Sequence, residues 1–272
     1  MLDDVLATRF LKRMKTGRNC PVLLSCERTN ANAGSSDSIE AVAKFSSAEC
    51  GVAGLAREAM TAMLAADLGL PVPEPLLVNL VDGFVEALPP GEDEVRNLML
   101  GGVMPTFGCA KLPPGFSVWT SDRRIDDRML EQGGEIFAFD VLTLNVDRRP
   151  ENPNCQSDGS SFAIFDHDLA LLAGQVGTIF APAPWTIGGA GAATSGDGEH
   201  LLYRSLRGRG VTLDRLEQAW SGISIDRIHE YRDALPETWG ASADSVENAV
   251  RYLIELQGHL DSAFLELRRV LA

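Results

Sequence analysis

Apolar residues in the opening stretch fall at Leu2, Val5, Leu6, Phe10 and Leu11, a helical spacing that predicts an amphipathic helix over residues 2–14. Its apolar face is expected to pack on the body of the protein rather than on a membrane. From Pro21 to Cys26 the pattern turns continuously apolar, and after the small polar stretch Thr29–Ser38 a second apolar run, IEAVAKF, covers Ile39–Phe45. Two such runs around a Gly/Ser/Asn tip predict a β-hairpin. Residues 51–68 are dense in helix formers, and Gly69, Pro71 and Pro73 follow as stop signals, so a helix of about five turns is expected. Leu76–Val81 and Gly83–Ala87 read as short strands around a Val-Asp-Gly turn, and PPGEDE as a loop; together these elements make a small β-rich lobe.

From about Asp126 the pattern changes. Met129, Leu130, Ile136, Phe137, Phe139, Val141, Leu142 and Leu144 predict a buried helix, broken at Gly133-Gly134, that leads into Asn145-Val146-Asp147. In NPNCQSDGSSFAIFD, Asp158-Gly159 reads as a hairpin turn and Ser161–Phe165 as the returning strand. Residues 171–200 are mostly Gly, Ala, Pro and Thr, which reads as a mobile segment. The last third, from Leu213, is helical, with its longest helix expected over 243–270, and no internal repeat interrupts the order. Strands first and helices after give an α+β fold class.

At 272 residues the chain exceeds the usual single-domain size, which two adjoining lobes accommodate. With 24 Lys+Arg against 38 Asp+Glu its net charge is −14, a field that repels a phosphate backbone and argues against nucleic acid as partner. The same field opposes any small phosphate-bearing ligand, so a site for one must be made locally positive by backbone N–H groups, a lysine and Mg²⁺. The five cysteines are odd in number and form no Cys-x-x-Cys pair, which suggests neither a disulfide framework nor a zinc knuckle and fits a reducing cytoplasm. The opening MLDDVLATRFLKRMKTG carries acids where a signal peptide carries bases, and no apolar stretch approaches membrane-spanning length, so a cytoplasmic protein without a membrane partner is expected.

Phosphoryl transfer needs a carboxylate to orient and deprotonate the attacking hydroxyl, and oxygen ligands to hold magnesium against the phosphates. In LNVDRRPENPN, Asp147 and Asn152 stand at the Asp-x-x-x-x-Asn interval of the protein-kinase catalytic loop, with Asp147 as base and Asn152 as metal ligand. The Asp158-Gly159 turn then returns the chain so that IFDHD delivers Asp166 beside Asn152 as the second metal ligand. Other readings of the same residues stay open. Asn152-Pro153-Asn154 also suits an ordinary turn, Asp166 and Asp168 alternate so that either can face solvent, and Lys44 on its apolar strand can pack its stem while its charge reaches water. Glu58 can be a solvated helix residue and His167 a hydrogen-bonding residue rather than a base, while His200, His229 and His259 share no motif.

FDVLTLNVDRRPENPN and AIFDHDLAL resemble the HipA-like kinases, bacterial Ser/Thr kinases whose pattern runs Phe-Asp, Asn-x-Asp-Arg, Asn-Pro-Asn and Asp-His. More distantly the loop DRRPEN resembles the Asp-Arg-His-x-x-Asn loop of phosphatidylinositol kinases, with Arg149 in the place of the histidine. TGRNCPVLL, EAVAKF and REAMTAMLAADLGLPVPEPLLV are similar to the family's nucleotide-binding lobe, so the resemblance spans residues 15–170. It implies a two-lobed protein-kinase-like fold: a β-rich nucleotide-binding lobe over 1–112 and a mainly helical catalytic lobe over 113–272. It implies ATP and Mg²⁺, with Lys44 on the phosphates, Glu58 paired to Lys44, the Gly17-Arg18 region near the nucleotide, and Asp166 preferred to Asp168. The implied acceptor is a Ser or Thr of a protein. A small molecule or lipid would use the same core, and a pseudokinase or nucleotide-binding module would lack the intact Asp147, Asn152, Asp166 and Lys44; transfer of AMP instead of phosphate is a further outcome of such folds. Residues 29–38 lack the Gly-x-Gly-x-x-Gly pattern, and their Ser35, Ser36 and Ser38 are candidate phosphate acceptors whose modification would set negative charge beside the triphosphate.

Overall fold

The computed structural model describes residues 2–14, 20–29, 38–47, 50–172 and 182–272. Its first element corrects the helix expected over 2–14: Asp3–Arg13 is a strand, β1. Val5 and Ala7 alternate inward, but the register against β2 (Val22–Arg28) shifts at Ala7/Arg9 and again at Phe10/Lys12. Each irregularity changes the face taken by the next side chain, so apolar residues become separated by three positions instead of two. A bulged strand thereby imitates a helical period.

β2 pairs antiparallel with β3 (Ser38–Lys44) as the expected hairpin; Ser38 starts β3, while Ser35 and Ser36 lie outside the described residues. The helix expected next is α1 (Val52–Asp67), and β4 (Pro75–Leu80) then runs parallel to β1. Gly83–Ala87 is not a strand. Its chain turns on itself, with Ala87 N donating to Gly83 O at 3.1 Å, and buries Phe84 and Leu88 on one side. The apolar pattern gave no sign of the two elements that follow, α2 (Asp93–Gly101) and β5 (Thr106–Ala110). β5 enters between β3 and β4 and closes a barrel in the order β1-β2-β3-β5-β4, filled by Val5, Val22, Leu24, Ala43, Leu76 and Val78.

Beyond the barrel, β6 (Ser117–Val118), β7 (Cys155–Ser157) and β8 (Phe162–Ile164) form a small antiparallel sheet. Between β6 and β7 lies α3 (Leu130–Leu142), which runs unbroken through Gly133-Gly134. The glycines serve close packing instead: a Cβ on Gly133 would stand 3.3 Å from both Ile125 Cδ1 and Leu206 Cδ2. The helical part continues with α4 (Tyr203–Leu206), α5 (Asp214–Ser221), α6 (Ile225–Asp233), α7 (Ala243–Gln257) and α8 (Leu260–Leu271). The single helix expected over 243–270 is therefore two, because Gly258 and His259 close a tight turn on Glu255 O and Leu256 O. Of the glycine-rich stretch, residues 182–200 form turns and short 3₁₀ segments that pack on these helices. Gly188 N donates to Glu266 Oε1 at 2.8 Å and Trp185 stacks on His259 with ring centroids 5.1 Å apart.

The N-terminal region is thus sheet and the C-terminal part helical. α1 joins them, packing against β4 and β5 on one side and α6 and α7 on the other, within a core that includes Leu55, Met60, Phe137, Phe139, Trp220 and Phe264. Among the described residues no helix is long and apolar enough to cross a membrane. The barrel has little room at its closing strand: a Cβ on Gly108 would lie 2.7 Å from Val78 Cγ2 and 3.2 Å from Val42 O. Gly108→Val is expected to destabilise the protein by about 1–3 kcal/mol through overpacking. Urea unfolding followed by circular dichroism reads this as a lower midpoint, and an unchanged midpoint would show that the barrel is looser than its packing indicates.

Candidate active site

Three separate elements meet at one ammonium group. β3 ends on Lys44, α1 turns Glu58 toward it, and the segment after β8 brings Asp166 from 122 positions away. Lys44 Nζ lies 2.5 Å from Glu58 Oε2 and 2.6 Å from Asp166 Oδ1. The lysine and Glu58 side chains are only 13% and 4% exposed, so a charge here stands or falls by its partners. Burial works against the Lys44 charge, but the Glu58 and Asp166 carboxylates outweigh it and raise its pKa. One cation shared by two acids treats them unequally. Burial leaves Glu58 with a raised pKa despite Lys44, whereas the pull of Lys44 overcomes burial at Asp166 and lowers it.

Asp147 and Asn152 come together through a tight turn. Arg149 N donates to Asn152 O at 3.1 Å and Asn152 N to Arg149 O at 3.0 Å, with Pro150 at the second position, where its fixed φ suits a turn. This sets Asn152 Nδ2 2.5 Å from Asp147 Oδ2, which also accepts from Asn154 Nδ2 at 3.4 Å. Asp147 Oδ1 is left with Arg149 at 3.5 Å. Burial first, and then the negative charge of Asp166, push the Asp147 pKa up. The turn is ordinary; its product is not, because two amide groups, those of Asn152 and Asn154, donate to one carboxylate oxygen.

Beneath this loop Arg148 is buried, and each of its five N–H donors has an acceptor. Nε and Nη2 grip Asp140 at 2.6 and 3.2 Å, Nη1 donates to Asn154 O and to Phe165 O, and Nη2 also reaches His167 Nε2 at 3.1 Å. Asp140 is satisfied in turn by Asn145 Nδ2 at 2.7 Å and His200 Nε2 at 2.9 Å. Burial would raise the Asp140 pKa, but Arg148 and then His200 hold it well below the usual carboxylate range. An arginine only donates, so His167 Nε2 accepts and the ring is neutral with its proton on Nδ1. Burial, reinforced by the Arg148 charge, accordingly lowers the His167 pKa to about 3. His200 receives Leu202 N–H on Nδ1, which leaves its own proton on Nε2 for Asp140.

The arginine thus holds Asn154 and Phe165, the residues flanking Asn152 and Asp166 along the chain. Leu144, Asn154, Asp166 and Leu171 all take left-handed φ between 41° and 65°. Each such residue costs on the order of 1 kcal/mol; Arg148 fixes two of them, binding the carbonyl of Asn154 and that of Phe165 immediately before Asp166. Glu58, Asp166 and Asp168 offer oxygens within 4.8 Å of one another, the hard donor set that suits a divalent cation such as magnesium. Arg57 anchors this cluster, with Nε donating to Asp168 O at 2.9 Å and Nη1 to Ser245 Oγ at 3.0 Å. Gly17 and Arg18 lie outside the described residues.

Strand lysine, helix glutamate, loop aspartate with its asparagine, and a returning aspartate stand in one constellation. A family model described as HipA-like kinase matches residues 34–179, more than half of the chain. The chain belongs to the HipA-like kinases. The match includes Lys44, Glu58, Asp147, Asn152 and Asp166 of this HipA-like kinase. Among solved structures it is similar to a crystal structure of the Helicobacter pylori proinflammatory kinase CtkA, at 15% identity over 99% of each chain with a TM-score of 0.55, a likeness of fold. No curated protein matches the chain in sequence.

Sequence reasoning had passed over Asp140, Arg148, Arg57 and His200 as functional residues. Asp140 and Arg148 were within reach, since they occupy the Phe-Asp and Asp-Arg positions of the quoted pattern; His200, 60 positions from its partner, carried no signal. Because His167 stays neutral when folded but has an ordinary value of 6.5, the unfolded chain takes up a proton between about pH 6.5 and 3 that the folded chain refuses. Stability therefore falls as the pH is lowered through that window, by about 1.4 kcal/mol per unit for this residue. His167→Gln keeps an acceptor for Arg148 and removes the proton. Urea midpoints taken at pH 6.5 and 5 should converge toward each other in the variant relative to the native chain, and an identical pH slope in both would refute the neutral assignment.

Proposed function

We propose that this HipA-like kinase is an ATP- and magnesium-dependent phosphotransferase that phosphorylates Ser or Thr hydroxyls of a protein. The observation that carries the reading is the meeting of Lys44 with both Glu58 and Asp166, beside an Asp147–Asn152 pair. In this reading residues 1–112 form the nucleotide-binding lobe and 113–272 the catalytic lobe, and ATP lies between them, with Gly17 and Arg18 near the nucleotide. Lys44 keeps Glu58 as its orienting partner and turns its charge to the phosphates. The net charge of −14 makes that local cation necessary.

The donor set fits magnesium: Asp166 supplies an anionic oxygen close to those of Glu58 and Asp168, and Asn152, whose amide N–H is committed to Asp147, is assigned its Oδ1 as the further ligand in this reading. Bound there, magnesium would neutralise charge on the phosphate oxygens. Asp147 orients the acceptor hydroxyl and takes its proton. Oδ2 is occupied by Asn152 and Asn154, so Oδ1 is the oxygen that receives it. A raised pKa makes Asp147 a better proton acceptor than an ordinary surface carboxylate. All five cysteines are free thiols, in keeping with a cytoplasmic location.

Intact-mass analysis after incubation with ATP and Mg²⁺ should record a gain of phosphate, and a gain of AMP would replace this reaction with nucleotide transfer. Asp147→Ala is expected to lower turnover by about 10²-fold or more while nucleotide affinity stays within a factor of a few. Native turnover in that variant, under conditions where chemistry limits the rate, would remove Asp147 from the mechanism. Asp166→Asn should weaken ATP binding only when magnesium is present, since a neutral amide is a poorer ligand for a hard cation. Calorimetry with and without the metal makes the comparison, and an unchanged magnesium dependence would move the ligand role to Asp168.

A further inference from the structure

On the face formed by the chain after β6 and by α4, a depression of about 300 Å³ is lined by Arg123, Arg124, Arg204 and Arg209, by the hydroxyls of Ser121 and Ser205, and by the single acid Asp122. Four of the 24 basic residues share this hollow in a chain of net charge −14. The net charge of −14 repels an extended polyanion, so a hollow of this size favours a compact anion over a nucleic acid.

Two of the arginines, Arg209 and Arg123, are held in place before any ligand arrives. Arg209 Nη1 donates to Ile125 O at 2.8 Å and to Ser205 O at 3.2 Å, and its other arm pairs with Asp127. Arg123 lies 4.5 Å over the ring of Trp119, which is 3% exposed and edge-on to Phe162 at 4.9 Å. Arg204 pairs with Glu199 at 2.5 Å but remains 84% exposed and able to turn. Among the described residues neither Arg123 nor Arg124 forms a salt bridge, and Asp122 is engaged by the Thr120 hydroxyl. A fixed guanidinium fork matches the oxygens of a phosphate, and several forks around one hollow match a dianion better than a single carboxylate.

We propose that this depression is a docking site for a phosphoserine or phosphothreonine borne on a peptide segment. The choice of that source rests on the proposed kinase reading, whose products are such groups; a segment phosphorylated once would dock here and present a further hydroxyl. The position serves this, because Trp119 N donates to Cys155 O at 2.9 Å, at the start of the strand that follows Asn152 and Asn154. The hollow and the catalytic loop are thereby built on the same three-stranded sheet.

The test is fluorescence anisotropy with the full chain, at physiological ionic strength and without ATP, using a short labelled Gly/Ala peptide carrying one phosphoserine and its unphosphorylated twin. The phosphopeptide is expected to bind roughly tenfold tighter or more, the worth of one or two charge-assisted hydrogen bonds. The double variant Arg123→Ala/Arg124→Glu should lose that preference with its circular-dichroism spectrum and ATP turnover unchanged. Equal affinity for the two peptides, a preference that survives the double variant, competition by inorganic phosphate as tight as the phosphopeptide itself, or binding of phosphatidylserine vesicles in place of the phosphopeptide would each overturn the site. Phosphopeptide preference without ATP turnover would instead overturn the kinase reading and leave the docking site standing, and turnover without preference the reverse.

Discussion

The buried ion pair between Asp140 and Arg148 is the contact on which the geometry of the candidate site depends. Removing both charges from water costs several kcal/mol for each ion, and the pair survives because every donor of the arginine and every lone-pair direction of the carboxylate is filled. The arrangement rewards completeness. With one partner missing, the other would be left charged and unpaired in the core, a loss of about 3–5 kcal/mol. In exchange for this exacting chemistry the arginine gains a reach no apolar residue has: it fastens α3 to the carbonyls of Asn154 and Phe165 at once. Those carbonyls flank the residues proposed to bind metal. The left-handed backbone at Asn154 and Asp166 can persist because this network determines the chain path there more strongly than local preference does.

A second constraint acts across the middle of the molecule. Lys44 is the last residue of a barrel strand, and its charge is held between an acid from α1 and an acid from the hairpin of the helical part. Neither region alone supplies that environment. α1 is placed to couple them, since consecutive residues serve both tasks: Arg57 grips the Asp168 carbonyl and α7, while Glu58 meets the lysine. A shift of α1 would therefore disturb the ion pair and the acidic cluster together.

Charge is distributed against the overall trend in the surface hollow. The chain is strongly acidic, yet it gathers four arginines there, while Lys44 stands as one cation among Glu58, Asp166 and Asp168. In an acidic background such places are where an anion can be bound, and where selectivity among anions is set by geometry rather than by general attraction.

The sequence alone determined the hairpin β2–β3, the extent of α1 and the β7–β8 return, and it set Asp147 and Asn152 at their short interval, while Lys44 and Glu58 were named only through the resemblance. These are local facts: apolar runs between turn residues, a helix bounded by glycine and proline, and polar residues at short fixed intervals. It misread β1, whose bulges gave a strand the period of a helix, and it took Gly133-Gly134 for a break where close packing requires small residues. It gave no sign of β5, whose place between β3 and β4 is decided by barrel closure, a property of strands far apart in the chain. Only the tertiary structure decided which buried polar groups belong together. Arg148 and His167 stand in the quoted pattern but nothing local pairs them, and His200 carries no local signature at all, because what fixes them is the requirement that every buried donor and acceptor be satisfied, met by partners up to 60 positions away.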